Sequence, residues 1–380
     1  MCESAHKNEI LSTRESSKGS PSSNIIGAMK KHKSLLLLLL HNFAMNSNSL
    51  LLSRIQETDA SHHAKAYRAL AHADQCLGHV QEWLAQELGD MTDSSQPLFF
   101  PYKKENVLFI NHHIPSVTKA FRAVTDKLIS SGKIPKRHGD EVVVADRVVD
   151  GHGVCEKIVV DRNTAPFLGI PSIGVHLNCY VTDDEGQIGG LWMAQRSSTK
   201  STFPNCWDVT VAGGQPHSLS FAENLKKEAW EEAGVPPDVV ASKAQAVSCL
   251  SQMTSKPDGS CLKHSLYYCW DLPVSNDFEP RPVDGEVTQF ELVSPEKLLE
   301  EVKGGTKLRP AMRLVVTDFL MRHGVISPDN EPDYARIQAA MHRDPLVLWK
   351  SPFDEEMWKL PLDEFVKKLD GTKMGRGTSP

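Results

Sequence analysis

The sequence lacks the short motifs of several common catalytic classes. Its eight cysteines form no CxxC pair, its 16 histidines show no HxxxH spacing, and neither a GxSxG elbow nor a Walker loop occurs. These absences argue against a zinc site built from cysteine or histidine, a serine hydrolase and a P-loop nucleotidase. The scattered cysteines are instead typical of free thiols in a reducing compartment.

Strong charge of one sign and long apolar runs are also missing. Over 380 residues the formal net charge is only -6, so no general field attracts nucleic acid or an acidic membrane surface. The leucine run at 35–40 is too short to span a bilayer. We therefore predict a small-molecule substrate, no nucleic-acid partner and no membrane partner. An anionic substrate would then be held by local cations or by a metal.

Acidic residues are absent from 16–56, where lysines and serines are frequent. This composition is typical of organelle transit peptides, and the basic residues before the leucine run look like a signal peptide starting at Met29. We predict that residues 1–56 are a disordered or targeting segment, or an upstream extension before a start at Met29 or Met45. The chain is accordingly predicted to be cytoplasmic, or mitochondrial or plastid if this segment acts as a transit peptide.

Residues 57–155 are predicted to form a small α+β domain. Apolar residues three and four apart over 62–88 predict two amphipathic helices broken near Gly78, and another helix is predicted over 115–132. Stretches rich in β-branched residues predict strands at 106–112 and 140–149. No motif in this domain indicates a chemical role.

A second domain is predicted over 156–343. Two apolar runs joined by a turn-rich stretch predict a β-hairpin over 173–197, and a third strand over 206–214 ends in glycines. A glutamate-rich helix follows that strand, and further strands and helices are expected after it. Residues 344–380 are predicted to be a C-terminal extension, to which the sequence assigns no role.

The glutamate-rich helix gathers like charges on one face. At about 100° per residue, Glu228, Glu231 and Glu232 lie together, which is repulsive unless a cation binds there. Mg²⁺ prefers oxygen ligands and commonly bridges carboxylates to substrate phosphates. The spacing therefore favours a Mg²⁺ site, and the simpler alternative is a solvated acidic face.

Glycines and cations beside this helix are candidate substrate-binding residues. Gly213 and Gly214 allow the backbone to turn tightly and to approach a ligand closely. Arg196 and Lys200 lie on the segment before the strand that leads into the helix, and arginine can bind a phosphate through two hydrogen bonds. The alternative for both cations is a solubilising surface role.

The combined spacing resembles the Nudix box. The residues that fall on its glycine and glutamate positions are Gly213, Glu228, Glu231, Glu232 and Gly234. Two positions depart from the pattern, because Leu219 stands for its first glutamate and Lys227 for its arginine. In the family these two positions brace the loop on the helix. We predict that an ion pair between Glu223 and Lys227 replaces this brace.

The resemblance extends over roughly residues 60–343. This region looks like the Nudix subfamily related to thiamine pyrophosphokinase-associated proteins, in which a poorly characterised α/β domain precedes the Nudix domain. It implies an α/β (α+β) chain, with a Nudix αβα sandwich and mixed β-sheet after a smaller α+β domain. The chain departs from its relatives at Asn178-Cys179 and over 205–208, and these departures bear on specificity more than on the fold.

The resemblance implies a pyrophosphohydrolase that uses Mg²⁺ or Mn²⁺ and water to cleave a diphosphate linkage. Glu228, Glu231 and Glu232 would hold the metal, and Glu231 and Glu232 would be its strongest ligands and catalytic residues. Glu286, at a loop-to-strand junction, would complete the metal site or act as the base. On spacing alone, a loop glutamate in water explains Glu286 equally well.

Three functions remain open. The subfamily resemblance favours hydrolysis of thiamine diphosphate, or of its oxidised or analogue forms, to the monophosphate. A related hydrolase of ADP-ribose or NADH would use the same residues. A non-catalytic diphosphate-binding regulatory module is the third, motivated by Leu219 and Lys227, and the retained repulsive glutamates argue against it.

Overall fold

A computed structural model describes residues 48–57, 59, 67–139, 141–149, 155–255, 261–343, 346 and 350–371. Residues 1–47, most of the predicted targeting segment, lie outside this part of the chain. From Ser49 onward the chain forms one compact unit. The six cysteines whose side chains are described are free thiols, as predicted. Within the described ranges, no helix is long and apolar enough to cross a membrane.

The first described helix, α1 (Leu50–Gln56), begins after the N-cap residue Ser49. It packs into an apolar core in the C-terminal half of the chain through Leu51, Leu52 and Ile55, which are almost fully buried. The predicted end of the disordered or targeting segment at residue 56 is therefore wrong. The physical reason is that this short helix buries an apolar face and so belongs to the folded unit.

The next elements build the N-terminal part of the unit. In chain order they are β1 (Arg68–His72), β2 (Gln75–Val80), α2 (Glu82–Gly89), β3 (Thr92–Asp93), β4 (Gln96–Pro97), β5 (Phe99–Tyr102), β6 (Val107–Ile110), α3 (Val117–Ser130), β7 (Glu141–Val149) and β8 (Cys155–Asp161). One sheet has the order β2-β1-β6-β5, with β1 and β6 parallel, and β7 pairs with β8. These elements confirm the predicted helix over 115–132 and the strands near 106–112 and 140–149.

The predicted pair of helices over 62–88 is wrong in its first part. β1 and β2 form an antiparallel pair, and only α2 is helical. All five residues of β1 are buried, because Leu70 faces one apolar core while Ala69 and Ala71 face another. A strand buried on both faces lacks the alternation of a half-buried strand, so its apolar spacing imitates a helix.

The remaining elements build the C-terminal part and its extension. They are a 3₁₀ turn (Ala165–Leu168), β9 (Ser172–Thr182), β10 (Ile188–Arg196), β11 (Trp207–Asp208), β12 (Val211–Gly214), α4 (Phe221–Ala233), α5 (Pro237–Lys243), β13 (Gln245–Ser255), β14 (Leu262–Pro273), β15 (Val287–Val293), α6 (Pro295–Lys303), α7 (Met312–Arg322), α8 (Tyr334–Met341), α9 (Glu355–Trp358) and α10 (Leu362–Gly371). The sheet has the order β11-β10-β9-β14-β13, with β12 paired to β9 and β15 to β10. β14 runs parallel to β9 and antiparallel to β13, so the sheet is mixed.

Helices cover both faces of this mixed sheet. On one face, α1, α6, α7 and α8 pack around side chains such as Met193 and Phe319. On the other face, α4 and α5 pack around Val175 and Leu177. The predicted αβα sandwich with a mixed sheet is confirmed, as is the hairpin predicted over 173–197, which β9 and β10 form.

The C-terminal extension folds back onto the N-terminal sheet. Phe365 of α10 is fully buried and its ring centroid lies 5.7 Å from that of Phe100 on β5. Trp358 of α9 contacts Phe109 on β6 at 5.2 Å between ring centroids. The described part of the extension, for which the sequence indicated no role, therefore completes an apolar core on one face of this sheet.

His112 is a buried histidine in the contact between the N-terminal sheet and the extension. Its ring lies against Phe365, with 4.7 Å between centroids, and against Trp358. Neither ring nitrogen has a hydrogen-bond partner among the described residues. The pKa of His112 is lowered to about 4, mainly by burial and to a smaller extent by the nearby charges of His113 and His72.

We predict that this histidine makes the fold sensitive to acid. Between the unfolded pKa near 6.5 and the folded value near 4, the unfolded chain binds a proton that the folded chain excludes, so stability falls as pH falls, by at most about 1.4 kcal/mol per pH unit. His112→Leu should lose less unfolding free energy than the wild type between pH 6.5 and pH 4 in thermal or urea unfolding. His138→Leu, at an exposed position, is the control. Equal acid sensitivity of His112→Leu and the wild type would contradict the prediction.

Candidate active site on the glutamate-rich helix

The glutamate-rich helix, α4, begins with a capping box. The hydroxyl of Ser220 accepts a hydrogen bond from the Glu223 N–H at 3.3 Å, and the Glu223 carboxylate accepts one from the Ser220 N–H at 2.8 Å. Glu223 is therefore committed to the helix start, and the predicted ion pair between Glu223 and Lys227 is wrong. The Ser-x-x-Glu spacing before the helix is the sequence signal that identifies this cap.

Lys227 instead neutralises the carboxylates that follow it. Its ammonium lies 2.6 Å from a Glu231 carboxylate oxygen and 3.3 Å from one of Glu228. Like charges on one helix face would otherwise repel. The lysine that stands for the box arginine thus bridges two of the three predicted metal ligands.

Two amides hold the loop between β12 and α4. The side-chain amide of Gln215 donates to the carbonyl oxygens of Leu219, at 2.7 Å, and Pro216, at 3.1 Å. Asn224, which is fully buried, donates to the Gly214 carbonyl at 3.0 Å. These amides, which the sequence analysis missed, supply the bracing that we had assigned to Glu223 and Lys227. The sequence indicates such bracing only weakly, through the presence of an Asn or Gln close to an irregular loop.

The two glycines of β12 have side chains packed against them. A Cβ at Gly213 would collide with the Glu228 carboxyl group, and a Cβ at Gly214 would lie only 2.5 Å from a guanidinium nitrogen of Arg162. We predicted that these glycines allow a ligand to approach the backbone. In the structure, they allow Glu228 and Arg162 to do so, one on each face of the strand.

A small cavity brings together four predicted site residues. With a volume of about 10 Å³, it is lined by the side chains of Arg196, Lys200, Glu232 and Glu286 together with Asp208. The residues come from β10, the loop after it, β11, α4 and the position just before β15. Segments distant in the sequence therefore meet at one site.

Glu228 and Glu232 are carboxylates removed from water. Glu232 is 7% exposed and accepts a hydrogen bond from the Ala212 N–H at 2.8 Å. The pKa of Glu232 is raised to about 8, mainly by burial and to a smaller extent by the charges of Asp208, Glu228 and Glu286. Burial also raises the pKa of Glu228. Such desolvated, mutually repelling acids are the groups that a bound cation would stabilise in their charged form.

The cations predicted to receive phosphates are already paired in the structure. Arg196 donates to the Asp208 carboxylate at 3.0 Å and to the carbonyl oxygens of Thr202, at 3.1 Å, and Phe203, at 3.2 Å. It therefore holds the loop after β10 in place rather than presenting a free guanidinium. Lys200 makes a short ion pair with Glu286. Both cations line the cavity, and both are paired with acids there.

Asp208 is the site residue that the sequence analysis did not single out. It is 3% exposed and forms ion pairs with Arg196 and Arg309, each at 3.0 Å. It lies in the segment 205–208 that differs from the subfamily pattern, which is the signal that could have identified it. The cavity therefore contains a buried acid that is held by two arginines.

Comparison with known proteins identifies the part of the chain that carries this site. The NUDIX domain family model matches residues 173–315. These residues are therefore similar to the NUDIX family. The match contains β12, α4 and every cavity residue named above, so the Nudix box assignment of the glutamates rests on more than their spacing.

Full-length relatives extend beyond this chain's matched region. "Nudix hydrolase 20, chloroplastic" of Arabidopsis thaliana is 38% identical over 185 residues, covering 49% of this chain and 48% of the relative. "Uncharacterized protein YJR142W" of Saccharomyces cerevisiae is 34% identical over 195 residues, covering 49% and 57%. The chain thus spans about half the length of the curated relatives that it matches. A solved structure of DR0079 from Deinococcus radiodurans covers 45% of this chain and 96% of its own at 22% identity, with a TM-score of 0.33.

The chemistry of the Nudix-box donors fits a divalent cation, although their present arrangement is not a formed metal site. Among the described residues, no three His, Cys, Asp or Glu side chains are grouped so that they could hold a metal ion. Glu231 is 44% exposed and is turned to Lys227, while Glu232 is held on the Ala212 N–H. The desolvation and mutual repulsion of Glu228 and Glu232 are the features that fit a cation.

We predict that Gly213→Ala disturbs the contact between β12 and α4 although the strand conformation tolerates alanine. The new Cβ would force the Glu228 side chain from its place, so we expect a loss of about 1 to 3 kcal/mol of unfolding free energy. Gly304→Ala is the matched control, because a Cβ there meets no atom within 4 Å. Urea unfolding of the two variants measures the difference. Equal stability of both would show that Glu228 does not depend on the bare backbone.

Proposed function

We propose that the chain is a metal-dependent Nudix pyrophosphohydrolase that cleaves a phosphoanhydride bond. The observation that carries the proposal is the pair of desolvated carboxylates, Glu228 and Glu232, beside a cavity that also contains Glu286 and Asp208. Burying these acids is unfavourable without a positively charged ligand. The NUDIX family match and the relatives named as Nudix hydrolases support the same reaction class.

Nudix hydrolases generally use divalent metals such as Mg²⁺, and the box residues are the ones that would hold it here. We propose Glu228, Glu231 and Glu232 as the ligands for Mg²⁺ or Mn²⁺. When bound, such a cation neutralises phosphate charge and lowers the pKa of a water molecule. Metal binding at these residues requires Lys227 to break its ion pairs with Glu228 and Glu231. The Lys227 side chain is half-exposed, so water can solvate its ammonium group once these ion pairs are broken.

The remaining groups of the cavity have roles that follow from their contacts. The Ala212 N–H orients one Glu232 oxygen and leaves the other for a ligand. Glu286 faces the cavity, and we propose it as the base that accepts a proton from the attacking water. Lys200 holds the Glu286 carboxylate in place and its charge lies where phosphate charge develops. Arg196 holds the loop that carries Lys200 in place beside the cavity.

We propose thiamine diphosphate, or one of its oxidised or analogue forms, as the substrate class. Support for this choice comes from the subfamily resemblance over roughly residues 60–343. The cavity residues suit any diphosphate ester, so ADP-ribose and NADH are the natural competitors. Residues 1–47 stay part of the predicted disordered or targeting segment, and plant relatives named chloroplastic support the targeting alternative.

The substrate prediction is tested with the full chain and Mg²⁺, by following phosphate and nucleotide release from a panel. The panel contains thiamine diphosphate, its oxo and oxy analogues, ADP-ribose and NADH. We expect preferential conversion of the thiamine compounds to monophosphates. AMP release from ADP-ribose or NADH alone would assign the second substrate class, and no turnover with either Mg²⁺ or Mn²⁺ would favour a non-catalytic binding module.

The site prediction is tested by Glu232→Gln, which keeps the shape of the side chain and removes its charge. We expect hydrolysis to fall by about 10²-fold or more, because a ligand or acid–base group contributes on that scale. Glu185→Gln, in the exposed turn between β9 and β10, is the matched control. Wild-type turnover by Glu232→Gln would exclude this residue from the mechanism, and the same result for Glu231→Gln would exclude Glu231.

A further inference from the structure

The small cavity of the candidate active site cannot hold the organic part of a substrate. Its volume of about 10 Å³ accommodates one water molecule, whereas a cavity of about 150 Å³ is needed for a benzene ring. When the charged groups of a diphosphate bind at this cavity, a ring attached to them must lie on the surface around it. That surface includes the loop between β10 and β11, residues 197–206, which we call the β10–β11 loop.

The β10–β11 loop is bound to residues that line the cavity. The Nε of Arg196 donates a hydrogen bond to the Phe203 carbonyl oxygen at 3.2 Å. The Ser197 N–H donates to the Glu286 carbonyl oxygen at 2.8 Å, and the Lys200 side chain forms an ion pair with the Glu286 carboxylate. These contacts fix the loop beside the cavity, and they place the backbone of Phe203 next to a guanidinium that lines it.

Phe203 has a backbone conformation that is strained for a phenylalanine. Its φ of 51° lies in the left-handed region, which bulky residues rarely adopt. Asn205 is also left-handed, with φ of 61°, but asparagine tolerates this region. The hydrogen bond from Arg196 to its carbonyl oxygen helps to hold Phe203 in this conformation. Backbone strain of this kind is concentrated at active sites and at segments that clamp ligands.

The Phe203 side chain contributes little to the apolar packing of the fold. The residue is 48% exposed, although phenylalanine is usually buried. It belongs to none of the apolar cores in the described part of the chain, and its ring packs against no other described aromatic ring. A strained backbone and an exposed apolar ring are both unfavourable for the chain alone, and contact of the ring with a ligand would offset this cost.

We propose that Phe203 stacks on a planar ring of the substrate whose phosphates bind at the small cavity. An exposed phenylalanine on a fixed loop offers a flat apolar surface, and stacking of an aromatic side chain tolerates many kinds of ring. Phe203 therefore favours diphosphates that carry a planar ring over those that carry a flexible chain. It is a specificity-determining residue and takes no part in bond cleavage. The position of the phosphates in this proposal rests on the proposed function.

The experiment measures equilibrium binding of the proposed products, so that it does not depend on turnover. Thiamine monophosphate, AMP and inorganic phosphate are titrated by calorimetry into the full chain with Mg²⁺. At least one ring-bearing phosphate should bind about tenfold more tightly than inorganic phosphate, and Phe203→Ala should remove this difference, because stacking contributes on that scale. Phe203→Tyr should keep the difference. Leu50→Ala, which removes an exposed apolar side chain from α1, should bind as the wild type does.

A second variant, Phe203→Gly, separates a ligand contact from a structural role. Glycine adopts a positive φ without strain, so this variant should be as stable as the wild type in urea unfolding while it loses the preference for a ring. A large loss of stability in Phe203→Gly would show that the side chain is part of the fold, and it would overturn the proposal.

The binding outcomes also separate this contact from the proposed hydrolysis. Equal binding of the ring-bearing phosphates by the wild type and Phe203→Ala, or binding no tighter than that of inorganic phosphate, would overturn the stacking role. A preference for a ring that depends on Phe203, in a chain that hydrolyses no diphosphate of the panel, would keep the ring contact and reject the hydrolase proposal. Hydrolysis with the same KM in the wild type and Phe203→Ala would keep the hydrolase and reject the contact.

Discussion

The close contact between β12 and α4 is the constraint on which the rest of the site depends. Glu228 lies on the bare backbone of Gly213, and Glu232 accepts a hydrogen bond from the Ala212 N–H one residue earlier. Any larger residue at position 213 would displace the Glu228 side chain from this contact. The same contact buries both carboxylates. The packing of α4 on β12 therefore also makes a bound cation favourable, because burial destabilises the charged form of a carboxylate.

Charged groups of opposite sign lie on the two faces of β12. On the α4 face, carboxylates from α4 and β15 gather, while on the opposite face Arg162 packs on Gly214. Asp208, buried at the cavity, pairs with both Arg196 and Arg309, so the positive charge of two arginines is balanced there.

Local signals predicted much of the fold. The glycines of the β9–β10 turn and Gly234 at the end of α4 marked element ends, and Gly234 does adopt the left-handed conformation with φ of 65°. β1 was missed because it is buried on both faces, a property of the partner layers rather than of its own sequence. The Nudix-box spacing identified α4, and the family match supports it.

Side-chain partners in the site were less predictable than their positions. Arg196, Lys200, Glu232 and Glu286 were expected near one another and do meet. Which acid each cation would bind depends on distances between elements, and a sequence does not contain those distances. Glu223 illustrates the point, because two partners lay within reach along the helix and the cap hydroxyl, not Lys227, is the one it binds.

Each end of the described chain packs against the half of the unit that lies farther from it in the sequence. α1, at the start, seals a core of the C-terminal sheet, while α9 and α10, at the end, seal a core of the N-terminal sheet. A break in the chain near residue 155 would leave each fragment without its closing helix and with an open apolar surface. Neither half is therefore expected to fold stably on its own when the chain is cut there.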